Sequence, residues 1–133
     1  MKAIKGNVTK GLQRGSYLVA CDNSGAKRLF IISFRGGKGV KGRNPSGGVG
    51  DFITASVRNG NPEMRKKVVN AVIVRQTKEY RRADGIRVKF EDNAAVVLKD
   101  DKGNPKGTLV KGPIAREVVA RWPAVAKIAK SVV

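Results

Sequence analysis

Histidine is missing from this chain, and cysteine occurs once, at Cys21. An intramolecular disulfide is therefore impossible, and zinc sites built from cysteine and histidine are excluded, as is a Cys–His nucleophile. Aromatic residues are few: one Trp, two Tyr and four Phe. Most lie in strand- or helix-like sequences where core packing accounts for them, and no ribonucleoprotein signature of stacked aromatics is present. Long apolar runs are also missing. No segment approaches membrane-spanning length and the start has no apolar leader core, so a soluble intracellular protein without a membrane partner is expected. Acidic residues number 10 against 28 Lys and Arg, a formal net charge of +18. Such an excess implies a polyanionic partner, because the chain's self-repulsion is relieved by one. It is uneven: residues 1–83 hold 18 basic and 4 acidic side chains (+14), residues 84–133 hold 10 and 6 (+4).

The scarcity of acids also bears on catalysis. Glu91-Asp92 and Asp100-Asp101 are the only adjacent carboxylates, both in turn-like sequence. Neighbours in extended chain point to opposite faces, so neither pair reads as a metal or acid–base site. Gly37-Lys38-Gly39-Val40-Lys41-Gly42 has the G-x-G-x-x-G spacing. A dinucleotide cradle would open a helix at this point, yet Arg43-Asn44-Pro45-Ser46-Gly47-Gly48 follows, and no Lys-Ser or Lys-Thr pair completes a P-loop. Nothing assembles a nucleophile, base and orienter. No enzyme, cofactor or small-molecule substrate is expected.

What is present reads mainly as strands. The chain is long enough for one modest core, and a single domain spanning 1–133 is expected, with a basic arm at 1–14. That arm, with Gly6 and Gly11, reads as irregular or weakly extended. Tyr17–Cys21 is a strand, Asp22–Gly25 a turn, and Lys27–Phe34 the return strand, whose continuous apolar centre predicts burial on both faces as in a small closed barrel. Residues 35–50 carry seven glycines and no acid until Asp51, and are expected to be a long exposed loop. Gly50–Val57 alternates with period two as a half-buried strand, and Arg58–Lys67 is a turn region.

Ala71–Arg75 begins the central feature, a buried strand that runs through a polar extension into a basic ribbon. Asp84-Gly85 predicts a two-residue hairpin turn, and Ile86–Phe90 alternates apolar and basic residues on its way back. Ala94–Leu98 is a further buried strand. After Gly112-Pro113 the period changes. Ala115, Val118, Val119 and Trp122 form the stripe of a short helix that Pro123 ends, and Val125, Ile128, Ala129 and Val132 continue the helical spacing. The barrel is thus assigned to 15–111, with the ribbon at about 75–90, and a helical tail to 112–133.

Arginine forks suit bidentate phosphate contact, and glycine lets main chain approach a phosphate backbone closely. Candidate RNA-binding residues are Lys27 and Arg28 on the return strand, Arg35, Lys38, Lys41 and Arg43 in the glycine loop, and Arg58, Arg65, Lys66 and Lys67 in the turn region. Arg75, Lys78, Arg81, Arg82, Arg87 and Lys89 follow along the ribbon. With so few aromatics, recognition of folded RNA by shape and backbone is expected, without base stacking.

Six blocks then occur in one order: Asp22-Asn23-Ser24-Gly25-Ala26, Gly50-Asp51, Ala71-Val72-Ile73-Val74-Arg75, Arg82-Ala83-Asp84-Gly85, Phe90-Glu91-Asp92-Asn93-Ala94, and Gly112-Pro113-Ile114-Ala115-Arg116-Glu117. This order resembles the large-subunit ribosomal protein fourteen family over roughly residues 17–120. The basic arm and the ending Trp122–Ala129 look more like its archaeal and eukaryotic branch than the bacterial one. The resemblance implies a mainly β fold: a small closed five-stranded barrel with a protruding β-ribbon and short C-terminal helices. It implies a cytoplasmic ribosomal location, and large-subunit ribosomal RNA and neighbouring ribosomal proteins as partners. It further implies a surface near the small subunit and its RNA, and a C-terminal part where subunit anti-association factors dock. Arg116, Arg121 and Lys127 are the candidates for that outward face. The alternative is a free-standing basic RNA-binding barrel of the translation-factor type, which should expose aromatics on its strands; the sequence shows none evidently placed to do so.

Overall fold

The computed structural model describes residues 3, 8–37 and 39–133. Its strands and helices run in chain order as β1 (Leu12–Gln13), β2 (Tyr17–Ala20), β3 (Ala26–Phe34), β4 (Ser46–Gly47), β5 (Phe52–Gly60), β6 (Val68–Arg75), β7 (Tyr80–Arg81), β8 (Arg87–Val88), β9 (Ala94–Leu98), β10 (Val110–Ile114), α1 (Arg116–Arg121), α2 (Pro123–Lys127) and β11 (Ala129–Val132). Strands β2, β3, β5, β6 and β9 close a barrel. Neighbours are antiparallel except at the seam, where β9 runs parallel to β2 through Val19↔Ala94 and Ala20↔Ala95. Closure leaves no barrel edge unpaired.

The barrel interior takes alternate residues of each strand: Leu18, Leu29, Ile31, Ile53, Ala55, Val57, Ala71, Ile73, Ala95 and Val97, all essentially inaccessible. A second apolar cluster lies outside the barrel wall. There Phe52, Val72, Val74, Val96 and Leu98 meet Tyr80, Val88 and Phe90 of the ribbon together with Ile114, Val118, Trp122 and Val125 of the tail. This explains why β6 and β9 read as unbroken apolar runs: one face fills the barrel and the other carries the tail. The expectation of two-sided burial for β3 is corrected. Phe30 and Ile32 on its outer face are only half-buried, because neither the tail nor the ribbon reaches that side.

Three further boundaries differ from expectation. The glycine loop is exposed only in its first part; Gly47–Gly50 are buried, with β4 paired to β1 through Leu12↔Gly47. The hairpin turn has three residues, not two. Arg82 N–H donates to Ile86 O at 2.9 Å and Gly85 N–H to Arg82 O at 2.9 Å, with Gly85 at φ +87°, a left-handed position that favours glycine. The ribbon's own ladder is two residue pairs long, Tyr80↔Val88 and Arg81↔Arg87. Finally, the helical spacing ends at Lys127. Residues 129–132 instead form β11, which pairs in parallel with β10, and the backbone hydrogen bonds of that pairing outweigh a weak apolar period.

Buried polar side chains stitch these parts together. Gln76 is fully inaccessible and satisfies three main-chain groups. Its amide Nε2 donates to Thr9 O at 2.8 Å and Lys78 O at 2.9 Å, and its Oε1 accepts Val49 N–H at 2.9 Å. It thereby joins the N-terminal arm, the loop and the ribbon root. Asp22 accepts Val97 N–H at 3.1 Å and the Ser24 hydroxyl at 2.9 Å. Desolvation still raises its pKa above the ordinary carboxylate value.

Candidate nucleic-acid interface

Seven of the ten acids are occupied inside the molecule. Asp51, Glu79, Asp92 and Glu117 form ion pairs with Arg121, Lys78, Arg75 and Arg82. Asp22, Asp84 and Asp100 accept main-chain N–H groups, Asp84 and Asp100 in their own turns. The basic excess is therefore left largely uncompensated at the surface, where it sets the local field.

Of the sixteen candidate RNA-binding residues, thirteen are exposed: Lys27, Arg28, Arg35, Lys41, Arg43, Arg58, Arg65, Lys66, Lys67, Lys78, Arg81, Arg87 and Lys89. Lys38 lies outside the described residues. The fold gathers ten of the exposed ones into three groups. At one corner of the barrel, Arg28 pairs across with Asn59, placing β3 beside Arg58, while Arg58, Arg65 and Lys66 line a shallow concavity with Ser56. Lys66 holds φ +66°, and its N–H donates to Val57 O at 2.9 Å, which fixes the corner's shape. The ribbon presents Lys78, Arg81 and Arg87 beside Thr9. The glycine loop offers Lys41 and Arg43, with Arg35 at its base lying 3.6 Å from the Phe52 ring centroid and donating to Asp101 O at 3.1 Å.

Arg75 and Arg82 are corrected out of the interface. Arg75 is only 7% exposed. Its Nη1 donates to Lys111 O at 2.9 Å and Pro113 O at 3.1 Å, and its Nη2 to Asp92 at 3.1 Å. Its Nε sits 2.9 Å from the other Asp92 oxygen, off the hydrogen-bond line, as an ion contact. An arginine so enclosed bridges β6 to the tail and has no fork left for a phosphate. Arg82 donates to Glu117 at 2.8 Å and to the Val133 main-chain oxygen at 2.6 Å. Glu117 also accepts the Tyr80 hydroxyl at 2.9 Å. Burial works against the Glu117 charge, but Arg82, its own main-chain N–H and Tyr80 together hold its pKa below the ordinary value. Burial and the Glu117 contact push the Tyr80 hydroxyl's pKa up. These groups lock ribbon to tail.

On the tail, Arg116 and Lys127 are exposed, but Arg121 is not the outward charge expected of it. It is half-buried and its Nη1 donates to Asp51 at 3.2 Å. Trp122 beside it is inserted into the second cluster, with its indole N–H donating to Gly50 O at 2.8 Å. Cys21 is a buried thiol directed at Ala95 O, and desolvation pushes its pKa up to about 12, which removes it from nucleophilic chemistry. Among the described residues no group of three or more His, Cys, Asp or Glu is placed to hold a metal ion.

One feature of this surface was missed by sequence reasoning. Tyr17 is 46% exposed on the outer face of β2, beside the half-buried Phe30 of β3. The expectation that no strand exposes an aromatic is therefore corrected. The strand alternation of Tyr17 and Val19 against buried Leu18 and Ala20 was the available signal.

These features define a class: small basic five-stranded barrels whose buried polar groups serve structure and whose exposed charges are overwhelmingly cationic. Sequence comparison gives the family. The chain belongs to the family described as ribosomal protein L14p/L23e, which matches residues 11–133. It is 53% identical to the large ribosomal subunit protein uL14 of Halobacterium salinarum, and 50% identical to those of Methanothrix thermoacetophila and Nanoarchaeum equitans. Each alignment spans 133 residues, all of both chains. These archaeal relatives fit the branch that the basic arm and the Trp122–Ala129 ending resemble.

Proposed function

We propose that this chain is a structural, non-catalytic constituent of the large subunit of the cytoplasmic ribosome. In this reading it acts as one domain that binds large-subunit ribosomal RNA. The glycine loop, the Arg58–Lys67 corner and the ribbon supply the contacts. The observation that carries it is the asymmetry of charge use: seven acids are engaged within the chain, while twelve of the candidate cations stand exposed without an ion pair. Phosphate contact by such side chains gives affinity and register without requiring base readout. The relatives' shared designation as large-subunit proteins supports the same conclusion. Neighbouring ribosomal proteins complete its surroundings. The tail, tied down by Trp122, Arg75 and Arg82, presents Arg116 and Lys127 to the small subunit and its RNA or to a subunit anti-association factor. No membrane, cofactor or small-molecule substrate enters the reading.

The second reading, a free-standing RNA-binding barrel, is favoured by the exposure of Tyr17 alone. Sedimentation separates the two. A tagged full-length chain expressed in an archaeal host should travel with large subunits at low salt and be released as salt rises, because each neutralised phosphate steepens the salt dependence by roughly 0.7–0.9 in log–log slope. A chain that stays at the top of the gradient at every salt concentration would refute the ribosomal reading.

A further inference from the structure

The outer face of the barrel opposite the tail is not covered by any described element. Ladder register aligns Tyr17, Phe30, Ser56 and Val68 in one row across β2, β3, β5 and β6. Tyr17 and Phe30 meet edge to face, with ring centroids 5.3 Å apart and planes at 65°. The Arg28 guanidinium lies 4.1 Å from the Tyr17 centroid, and that of Arg58 lies 4.6 Å from the Phe30 centroid. Val68 closes the row at 64% exposure. Apart from Ser56 the row is an apolar strip, and two guanidinium groups lie over its rings.

The two arginines differ from the others that lie over rings. Arg35 donates to Asp101 O and Arg82 is bound to Glu117. Among the described residues, Arg28 and Arg58 form no ion pair and no side-chain hydrogen bond. Their guanidinium groups lie over the rings while their N–H groups stay available. Lys27, Arg65 and Lys66 surround the strip. Asp92, which lines the same concavity as Tyr17 and Arg28, is occupied by Arg75.

We infer that this strip is a stacking platform for an unpaired nucleobase of the bound RNA, with the flanking phosphates on the free edges of Arg28 and Arg58. The inference rests on the RNA-binding reading above and revises the expectation of recognition by shape alone. A base inside a duplex has both faces covered by its neighbours, so only a bulged or looped-out base can use such a surface. Arginine planes and aromatic rings both stack on bases, and the stacking is tolerant of base identity. A protein partner fits the strip less well, because it would have to supply acids to match five cations around a single apolar row.

The test uses the full-length chain and two short RNA probes, a fully paired duplex and the same duplex with one bulged fluorescent adenine analogue. Wild type should bind the bulged probe about ten-fold more tightly, the effect of one stacked base, and quench its fluorescence. A Tyr17→Leu, Phe30→Leu variant should bind both probes alike, with wild-type affinity for the paired one. An Arg28→Lys, Arg58→Lys variant keeps the charge but loses the planes; it should lose most of the preference at unchanged salt dependence. Equal binding of the two probes by wild type overturns the inference and leaves the strip to a protein neighbour. A preference that survives Tyr17→Leu, Phe30→Leu overturns it too. Failure of the paired duplex to bind in a salt-dependent way would instead sink the RNA-binding reading beneath it.

Discussion

Trp122 is the side chain on which the tail's position depends. It is 3% exposed, its ring centroid lies 5.8 Å from that of Phe52, and its N–H meets Gly50 O at 2.8 Å. Replacing it with alanine removes a buried ring, about 3–5 kcal/mol, and strands a carbonyl of the β4–β5 connection. Taking about 4 kcal/mol, and an unfolding entropy of about 2.1 cal/mol/K for each of the 133 residues, Tm should fall by about 14 °C. Trp122→Phe keeps most of the apolar contact and loses the donor, so about 1–2 kcal/mol and roughly 5 °C are expected. Thermal and urea unfolding followed by far-UV circular dichroism measure both without needing tryptophan fluorescence. A loss below about 1 kcal/mol for Trp122→Ala would refute the reasoning, since no side chain so enclosed should be removable that cheaply.

Three other outcomes follow from the same packing. Gly103 holds φ +99°, and a Cβ there would lie 2.6 Å from the Trp122 ring; Gly103→Ala should destabilise by more than about 1 kcal/mol in urea melts, from backbone strain and the clash together. Glu117 has its pKa lowered in the folded state, so its contribution is complete above the ordinary glutamate pKa of about 4.3 and is lost as pH falls through the lower, folded value. Glu117→Gln should accordingly weaken the protein at neutral pH, with the gap to wild type closing in acid; a gap independent of pH would contradict the Arg82–Glu117 lock. In hydrogen exchange on the free protein, the amides of Val49 and Gly50, bonded to Gln76 Oε1 and Ile73 O, should be protected, while residues 39–44 exchange fast and gain protection only on RNA. Strong protection of 39–44 without RNA would count against their role as an adaptable contact.

Much of this architecture is legible in residue order. The β2 strand, the alternation in β5, the unbroken apolar runs of β6 and β9, the Asp22–Gly25 turn and the Ala115–Trp122 stripe all depend on local sequence, and the structure keeps them. What was not legible depends on partners distant in sequence. Arg75 is chemically indistinguishable from a surface arginine at a strand end, and its burial is decided by Asp92 and by the carbonyls of Lys111 and Pro113. Arg82 and Arg121 are withdrawn in the same way by Glu117 and Asp51. The apolar centre of β3 resembles that of β6, yet only β6 lies under the tail. Residues 129–132 carry a helical spacing, but the free edge of β10 draws them into a parallel strand.

The central claim is that the exposed cations of the loop, the corner and the ribbon face ribosomal RNA while the outer side of the tail does not. Residue-resolved protein–RNA crosslinking on purified large subunits containing this chain tests it most directly. Crosslinks are expected at Lys27 and Arg28 and within residues 35–43, 58–67 and 78–89, with Arg116 and Lys127 free until the small subunit joins. Crosslinks concentrated on α1 and α2 in the isolated large subunit, with the Arg58–Lys67 corner bare, would contradict it.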